Sequence, residues 1–277
     1  MHNTTSSLRL CATRSGLLLA WACASLMHLP AQAQVDVGRS SMMRQLVPAE
    51  TLENAATGQY QELLQKAKAQ GALAEASNPQ LQRLRGIAQR IIPYTPQWNE
   101  RAAQWRWEVN LIGSKQINAF CMPGGKIAFY TGIIDQLKLS DDEIAMIMGH
   151  EMAHALREHS REQMAKNQAT SLGISLGAQL LGLGDISSAA ARFGGQLLSL
   201  KFSRNDESEA DLVGLELAAR AGYNPQAAVS LWRKMGEATG EGGIGFLSTH
   251  PTGPDRIRQL ESNVPRVMAL YEQARRR

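Results

Sequence analysis

His150-Glu151-Met152-Ala153-His154 is the stretch on which the reading of this chain turns. Two histidines four residues apart share one face of an α-helix, so both imidazoles can hold a single Zn2+ while the glutamate between them faces the water to be activated. The H-E-x-x-H spacing therefore points to metal-assisted hydrolysis. The preceding residues supply the helix that this chemistry needs. Ser140-Asp141-Asp142-Glu143 has the form of a capping box, and Ile144, Ile147 and Met148 follow as its apolar positions. A third protein ligand has to come from elsewhere.

The chain around this motif is globular in composition, with 277 residues of which 44% are hydrophobic, which excludes a disordered tail or a fibre. Residues 1–33 differ from the rest. Arg9 and Arg14 precede an apolar run from Gly16 to Leu29, and Pro30 and Ala31-Gln32-Ala33 follow as a small-x-small cleavage site. This is the pattern of a secretory signal peptide, with a mature chain starting near Gln34; the run is short for a retained membrane anchor. Removing it takes Cys11 and Cys23 away and leaves Cys121 alone, so no intrachain disulfide is expected. It also lowers the formal charge from +4 to +2, too little to argue for nucleic acid as a partner.

Taken in order, residues 34–79 are polar and Ala/Gln-rich and read as a helical N-terminal extension, ahead of a catalytic domain over 80–277. Leu81, Leu84, Ile87, Ala88, Ile91 and Ile92 recur at helical spacing until Pro93 ends the helix. The period then changes. Trp105, Trp107, Val109 and Leu111 alternate with polar residues as a half-buried strand, Ile117 to Phe120 make a second, and Lys126 to Tyr130 a third after the turn Pro123-Gly124-Gly125. The expectation is a small antiparallel sheet ahead of the metal-binding helix. That helix is expected to run on through Ala165; His159, nine residues from His150, would then lie on its opposite side, outside the metal site, in a structural or polar-contact role. The Gly/Ala-rich segment 169–200 reads as a buried or mobile helical hairpin, with no integral membrane span.

Two further stretches carry polar groups with chemical potential. Glu207 and Asp211 are four apart on a helix opened near Ser203, which suits a ligand carboxylate with a second carboxylate beside it to orient an imidazole, although acids at a helix start also serve its dipole. Glu209 is the rival ligand, but it points about 160° away from Asp211 around the helix and reads as a surface acid. Trp232 falls at core spacing in a helix from Pro225 to Ala238. His250 sits in a loop before Pro251, after the run Gly240-Glu241-Gly242-Gly243, and is one of only four histidines left once the leader is gone.

Together, Asn118-Ala119-Phe120-Cys121-Met122-Pro123-Gly124-Gly125-Lys126, the His150 to His154 motif with His159-Ser160, Ser203-Arg204-x-x-Glu207-x-x-Ala210-Asp211, and Ser248-Thr249-His250-Pro251 with Arg256-Ile257 resemble the M48 family of zinc metallopeptidases. The likeness covers roughly residues 80 to 262 and is to the periplasmic, outer-membrane quality-control branch, without the tetratricopeptide array of its barrel-assembly-enhancing members. It implies a mainly helical α+β gluzincin fold and one Zn2+ per chain on His150, His154 and Glu207. It also implies Asp211 as a support for the ligands, Glu151 as general base, His250 and Arg256 near the substrate or transition state, and an edge strand around Asn118, Ala119 and Phe120 for an extended peptide. The implied protein is a periplasmic endopeptidase, soluble or peripheral to the outer membrane, acting on unfolded or misfolded polypeptides, with the outer-membrane assembly machinery as a further partner. The alternative is a periplasmic chaperone or assembly factor whose zinc is structural.

Overall fold

The structure is a computed structural model that describes residues 35–167, 197–238, 245–250 and 254–276. Residues 1–33, read from the sequence as a signal peptide, most of the segment 169–200 and the run Gly240 to Gly243 lie outside the described residues. Helix α1 covers Ala49–Ala69 and α2 Pro79–Ile91. Asn78 caps α2 by accepting from the N–H groups of Gln80 and Leu81, and Leu81, Leu84, Ile87, Ala88 and Ile91 are its buried stripe. Three strands follow: β1, Glu108–Ile112; β2, Ala119–Met122; and β3, Lys126–Tyr130. Trp105 and Trp107 stay outside β1, because their indole N–H groups bond Glu53 and the Ala102 carbonyl and hold both rings in the preceding loop.

The sheet corrects the expectation of purely antiparallel pairing. Its order is β1-β3-β2, with β2 antiparallel to β3 but β1 parallel to it, from Glu108 beside Lys126 to Ile112 beside Tyr130. Pro123-Gly124-Gly125 makes the tight β2–β3 turn, with φ of +81° and +78° at the two glycines. The link from β1 to β2 passes beyond β3, so β1 and β2 never meet and β2 is an edge strand. Helix α1 covers the sheet, and the Tyr60 hydroxyl donates to the Ile127 carbonyl.

Helices α3 (Thr131–Leu137) and α4 (Asp141–Leu156) come next. Ser140 accepts from the Glu143 N–H while the Glu143 side chain accepts from the Ser140 N–H, so the capping box is formed in both directions. Every residue of α4 from Glu143 to Leu156 is buried. It is the central helix, and α5 (Arg204–Arg220), α6 (Ala227–Glu237), α7 (Gly245–Thr249) and α8 (Pro254–Arg275) follow later in the chain. Among the described residues no helix is long and apolar enough to cross a membrane.

Contrary to the sequence reading, α4 does not run on to Ala165. It stops at Leu156, turns through Arg157 and Glu158, and the chain is helical again over 159–167. Glu158 has φ of +59°, a left-handed conformation that opposes continuation of a right-handed helix. Ion pairs to Arg44 at 3.2 Å and Arg161 at 2.8 Å hold it there, while Arg157 reaches back to the Gly38 carbonyl.

The contact that positions everything else is between α4 and α5. A Cβ added to Gly214 would fall 2.5 Å from the His150 backbone nitrogen, and one added to Gly149 would fall 2.7 Å from the Gly214 carbonyl oxygen. The obstacles are backbone atoms, so no rotamer change relieves them. Gly214→Ala is expected to cost about 1–3 kcal/mol, read as a lower urea midpoint with an unchanged slope, and to reduce zinc retained after dialysis. Wild-type stability and zinc content would refute this account of the helix crossing.

Candidate metal centre and active site

Helix α4 presents His150 and His154, α5 presents Glu207 from its first turn, and His250 follows directly after α7. Ligand atoms of these four buried residues all lie within 4.8 Å of one another. The two Nε2 atoms of His150 and His154 are 3.2 Å apart, and each is 3.5 Å from a Glu207 oxygen. His250 Nδ1 is 2.9 Å from Glu207 Oε1 and 3.4 Å from His150 Nε2. Lone pairs of neutral imidazoles this close repel one another unless a proton or a cation lies between them. Three imidazoles and a carboxylate are the donors that a tetrahedral Zn2+ takes, so the residues present fit that ion.

The opposite edges of the two α4 imidazoles are also held. His150 Nδ1 donates to Asp211 Oδ1 at 3.0 Å, and Arg256 grips Asp211 through Nε and Nη2, both at 2.7 Å. Arg256 Nη1 is 2.7 Å from Glu207 Oε2, and the guanidinium lies 3.7 Å over the Trp232 ring. Arg256, expected near the substrate or transition state, thus meets the two carboxylates directly. It is buried behind the two carboxylates, because their charge and the indole face together offer the desolvated cation better compensation than the cleft would. On the other ligand, His154 Nδ1 lies 3.0 Å from His159 Nδ1, and Phe202 stacks on the His154 ring with centroids 4.0 Å apart.

These contacts set the proton affinities. Burial alone would lower His150, but its hydrogen bonds to Asp211 and Glu207 win and raise it to about 9. His154, buried and beside the His150 charge, is driven far down and stays neutral. Burial likewise works against the Asp211 carboxylate, yet the Arg256 cation keeps its pKa below the usual range.

Glu151 is buried on the cleft side of the same helix. Its Oε1 lies 3.6 Å from His250 Nε2 and makes no hydrogen bond among the described residues, while the carboxylate accepts one from the Cys121 backbone. Burial raises its pKa above the ordinary carboxylate value, in the direction a general base needs. Asn118, Phe120 and Cys121 line one wall of the cleft, and Leu200 and Phe202 the other. Because the Asn118 carbonyl accepts from the Tyr130 N–H, the register turns the main-chain groups of Ala119 and Cys121 to the open side of β2. The Phe246 N–H donates to the Ile117 carbonyl at 3.0 Å, tying α7 to the end of that same edge.

Three of these groups stand closer to the metal donors than the sequence reading places them. Glu209, expected at the surface, is held by Arg157 Nη2 at 2.8 Å and Asn205 Nδ2 at 2.7 Å and lies 3.4 Å from His159. His159 was set aside by assuming a continuous helix. Phe202 had a visible signal, an aromatic residue at the entry to the acidic helix.

The fold and this donor set define a gluzincin-type metallopeptidase centre. The chain belongs to peptidase family M48, whose description matches residues 78–264; enzymes of that family use zinc. It is 39% identical over 170 residues to the mitochondrial metalloendopeptidase OMA1 of Schizosaccharomyces pombe, covering 60% of this chain and 49% of that protein. It is 38% identical over 159 residues to the Arabidopsis thaliana protein of that name, covering 57% and 32%. With metalloprotease YcaL of Escherichia coli it shares 27% identity over 160 residues, covering 54% and 59%. The chain thus spans about half or less of the two OMA1 proteins' length and is similar to mitochondrial as well as bacterial enzymes.

Asp211→Asn keeps the shape of the side chain but gives up the charge that His150 and Arg256 both use. Zinc affinity is expected to fall about 10- to 100-fold in competition with a chromophoric chelator. Equal affinity would remove Asp211 from the support of the centre.

Proposed function

We propose that this protein is a zinc-dependent endopeptidase that cleaves extended segments of unfolded or misfolded polypeptides. The observation that carries the reading is the placement of Glu151: a buried carboxylate of raised proton affinity, between the converging donors His150, His154 and Glu207 and the open edge of β2. His150, His154 and Glu207 would hold zinc, which supplies Lewis acidity toward the scissile carbonyl and the attacking water. A substrate segment adds to β2 through the outward main-chain groups of Ala119 and Cys121, a contact that reads backbone more than side chains. Glu151 removes a proton from the attacking water and returns it to the leaving amine. Folded domains, which have no free strand to offer, are poor substrates.

The leader-like residues 1–33 support export to the periplasm, and similarity to YcaL is compatible with a bacterial setting. There the abundant unfolded chains include precursors of outer-membrane proteins, which we take as the substrate class, with the assembly machinery as a neighbouring partner and a peripheral attachment to the outer membrane. The N-terminal extension and the peptidase domain act as one packed unit in this reading. Glu151→Gln is expected to retain zinc and fold while losing at least about 10²-fold of peptide hydrolysis, measured on a quenched peptide and on unfolded casein. Activity within a few-fold of wild type would exclude the assigned base.

A second reading, a chaperone or assembly factor with structural zinc, draws on His250, since four protein donors close a site as structural zinc sites are closed. Glu151 weighs against it: a purely structural centre has no use for a buried base beside its donors. We assign His250 instead to a latch that occupies the fourth donor position until substrate displaces it. His250→Ala is then expected to raise basal turnover of a short peptide. A loss of about 10²-fold would give the imidazole the oxyanion-stabilising role, and loss of zinc without any peptidase activity would favour the chaperone.

A further inference from the structure

We infer that His159 and Glu209 form a positioning pair for the zinc ligand His154, fixing its tautomer and ring orientation from behind; this rests on the metal-centre reading above. His154 points Nε2 at His150 and Glu207, and its Nδ1 lies 3.0 Å from His159 Nδ1. The Nε2 of His159 is in turn 3.4 Å from Glu209 Oε2. The hydrogen-bond directions follow from ligation alone. A ligating Nε2 must offer its lone pair, so the His154 proton sits on Nδ1 and donates to His159 Nδ1. That nitrogen must therefore be the acceptor, and the His159 proton sits on Nε2 and faces Glu209. Every group in the row has a partner of the right kind, with both imidazoles neutral and the carboxylate charged.

The surroundings keep the row in place. Glu209 is fixed by Arg157 on one oxygen and Asn205 on the other, and hydrogen bonding to His159 with the Arg157 charge lowers its pKa against the effect of burial. Phe202 covers the His154 face. The backbone provides the second, independent argument. His159 reaches His154 only because α4 breaks at Arg157-Glu158, with Glu158 held at φ of +59°, and on a continuous helix it would point about 140° away from His154. Holding a residue other than glycine in that conformation strains the backbone, and the geometry it provides is the contact between the two imidazoles. Asp211 does for His150 directly what Glu209 does for His154 through His159.

The test compares zinc affinity, by chelator competition, of wild type, His159→Ala, His159→Gln and Glu209→Gln, with thermal unfolding of each metal-free protein as the folding control. A glutamine at 159 has an amide oxygen to accept from His154 and an NH2 to donate to Glu209. His159→Ala is expected to weaken zinc binding about tenfold or more with little change in metal-free Tm. His159→Gln is expected to recover most of that loss, and Glu209→Gln to show a smaller one. The Co2+-substituted His159→Ala protein is expected to show an altered d–d absorption spectrum, which a change in packing alone would not produce. The inference is overturned if His159→Ala binds zinc within twofold of wild type, if alanine and glutamine are equally weak, or if the weakening follows a drop in metal-free Tm. Failure of wild type itself to bind zinc would instead overturn the metal-centre reading.

Discussion

The centre depends on two helices being allowed to touch backbone to backbone. Glu207, Asp211 and Gly214 stand at i, i+4 and i+7 on one stripe of α5, and Gly149 immediately precedes His150 on α4. Where the glycines meet, nothing separates the helices, and within two turns of that point the stripe delivers one carboxylate to the ligand edge of His150 and the other to its far edge. Ordinary side chains at the crossing would hold helices about 8–10 Å apart. Carboxylates as short as these then fall out of hydrogen-bonding reach of the imidazoles. Packing and chemistry are thus set by the same two missing methyl groups.

The electrostatics follow from that closeness. Taking Glu207, Asp211 and Arg256 out of water is expensive for each group alone, and the arrangement offsets it by sharing: one guanidinium serves both acids and stacks on Trp232, and each acid also serves an imidazole. Burial keeps His154 neutral with a lone pair to offer, whereas the two acids favour a proton on His150 until a cation takes its place. Glu151, the proposed base, stands outside this sharing network, with its Oε1 making no hydrogen bond among the described residues.

Much of this was legible in the chain. The H-E-x-x-H spacing, the capping box at Ser140 and the Glu207–Asp211 spacing are local and periodic, and the structure places each on the helix and face that the period requires. What escaped was set by contacts distant in sequence. The break after Leu156 has neither glycine nor proline to announce it and is enforced by Arg44, Arg161 and the carbonyl of Gly38. Parallel pairing of β1 with β3 is a matter of topology, invisible to an alternating pattern that looks the same in either direction. Arg256 is placed near the substrate or transition state by the resemblance alone. Only the fold reveals the acids behind it.

The bond from the Phe246 N–H to the Ile117 carbonyl has a consequence for the order of events on the cleft. It spends the outward-facing carbonyl of Ile117, two residues before β2, on the helix that His250 directly follows. An incoming chain that zips along the edge toward Ile117 competes for that acceptor, and winning it loosens the tether of α7. Under the latch proposed for His250, recognition and unveiling become two ends of one lever: the length of strand a visitor can lay down, rather than the identity of its side chains, would measure whether it is long and pliable enough to be admitted.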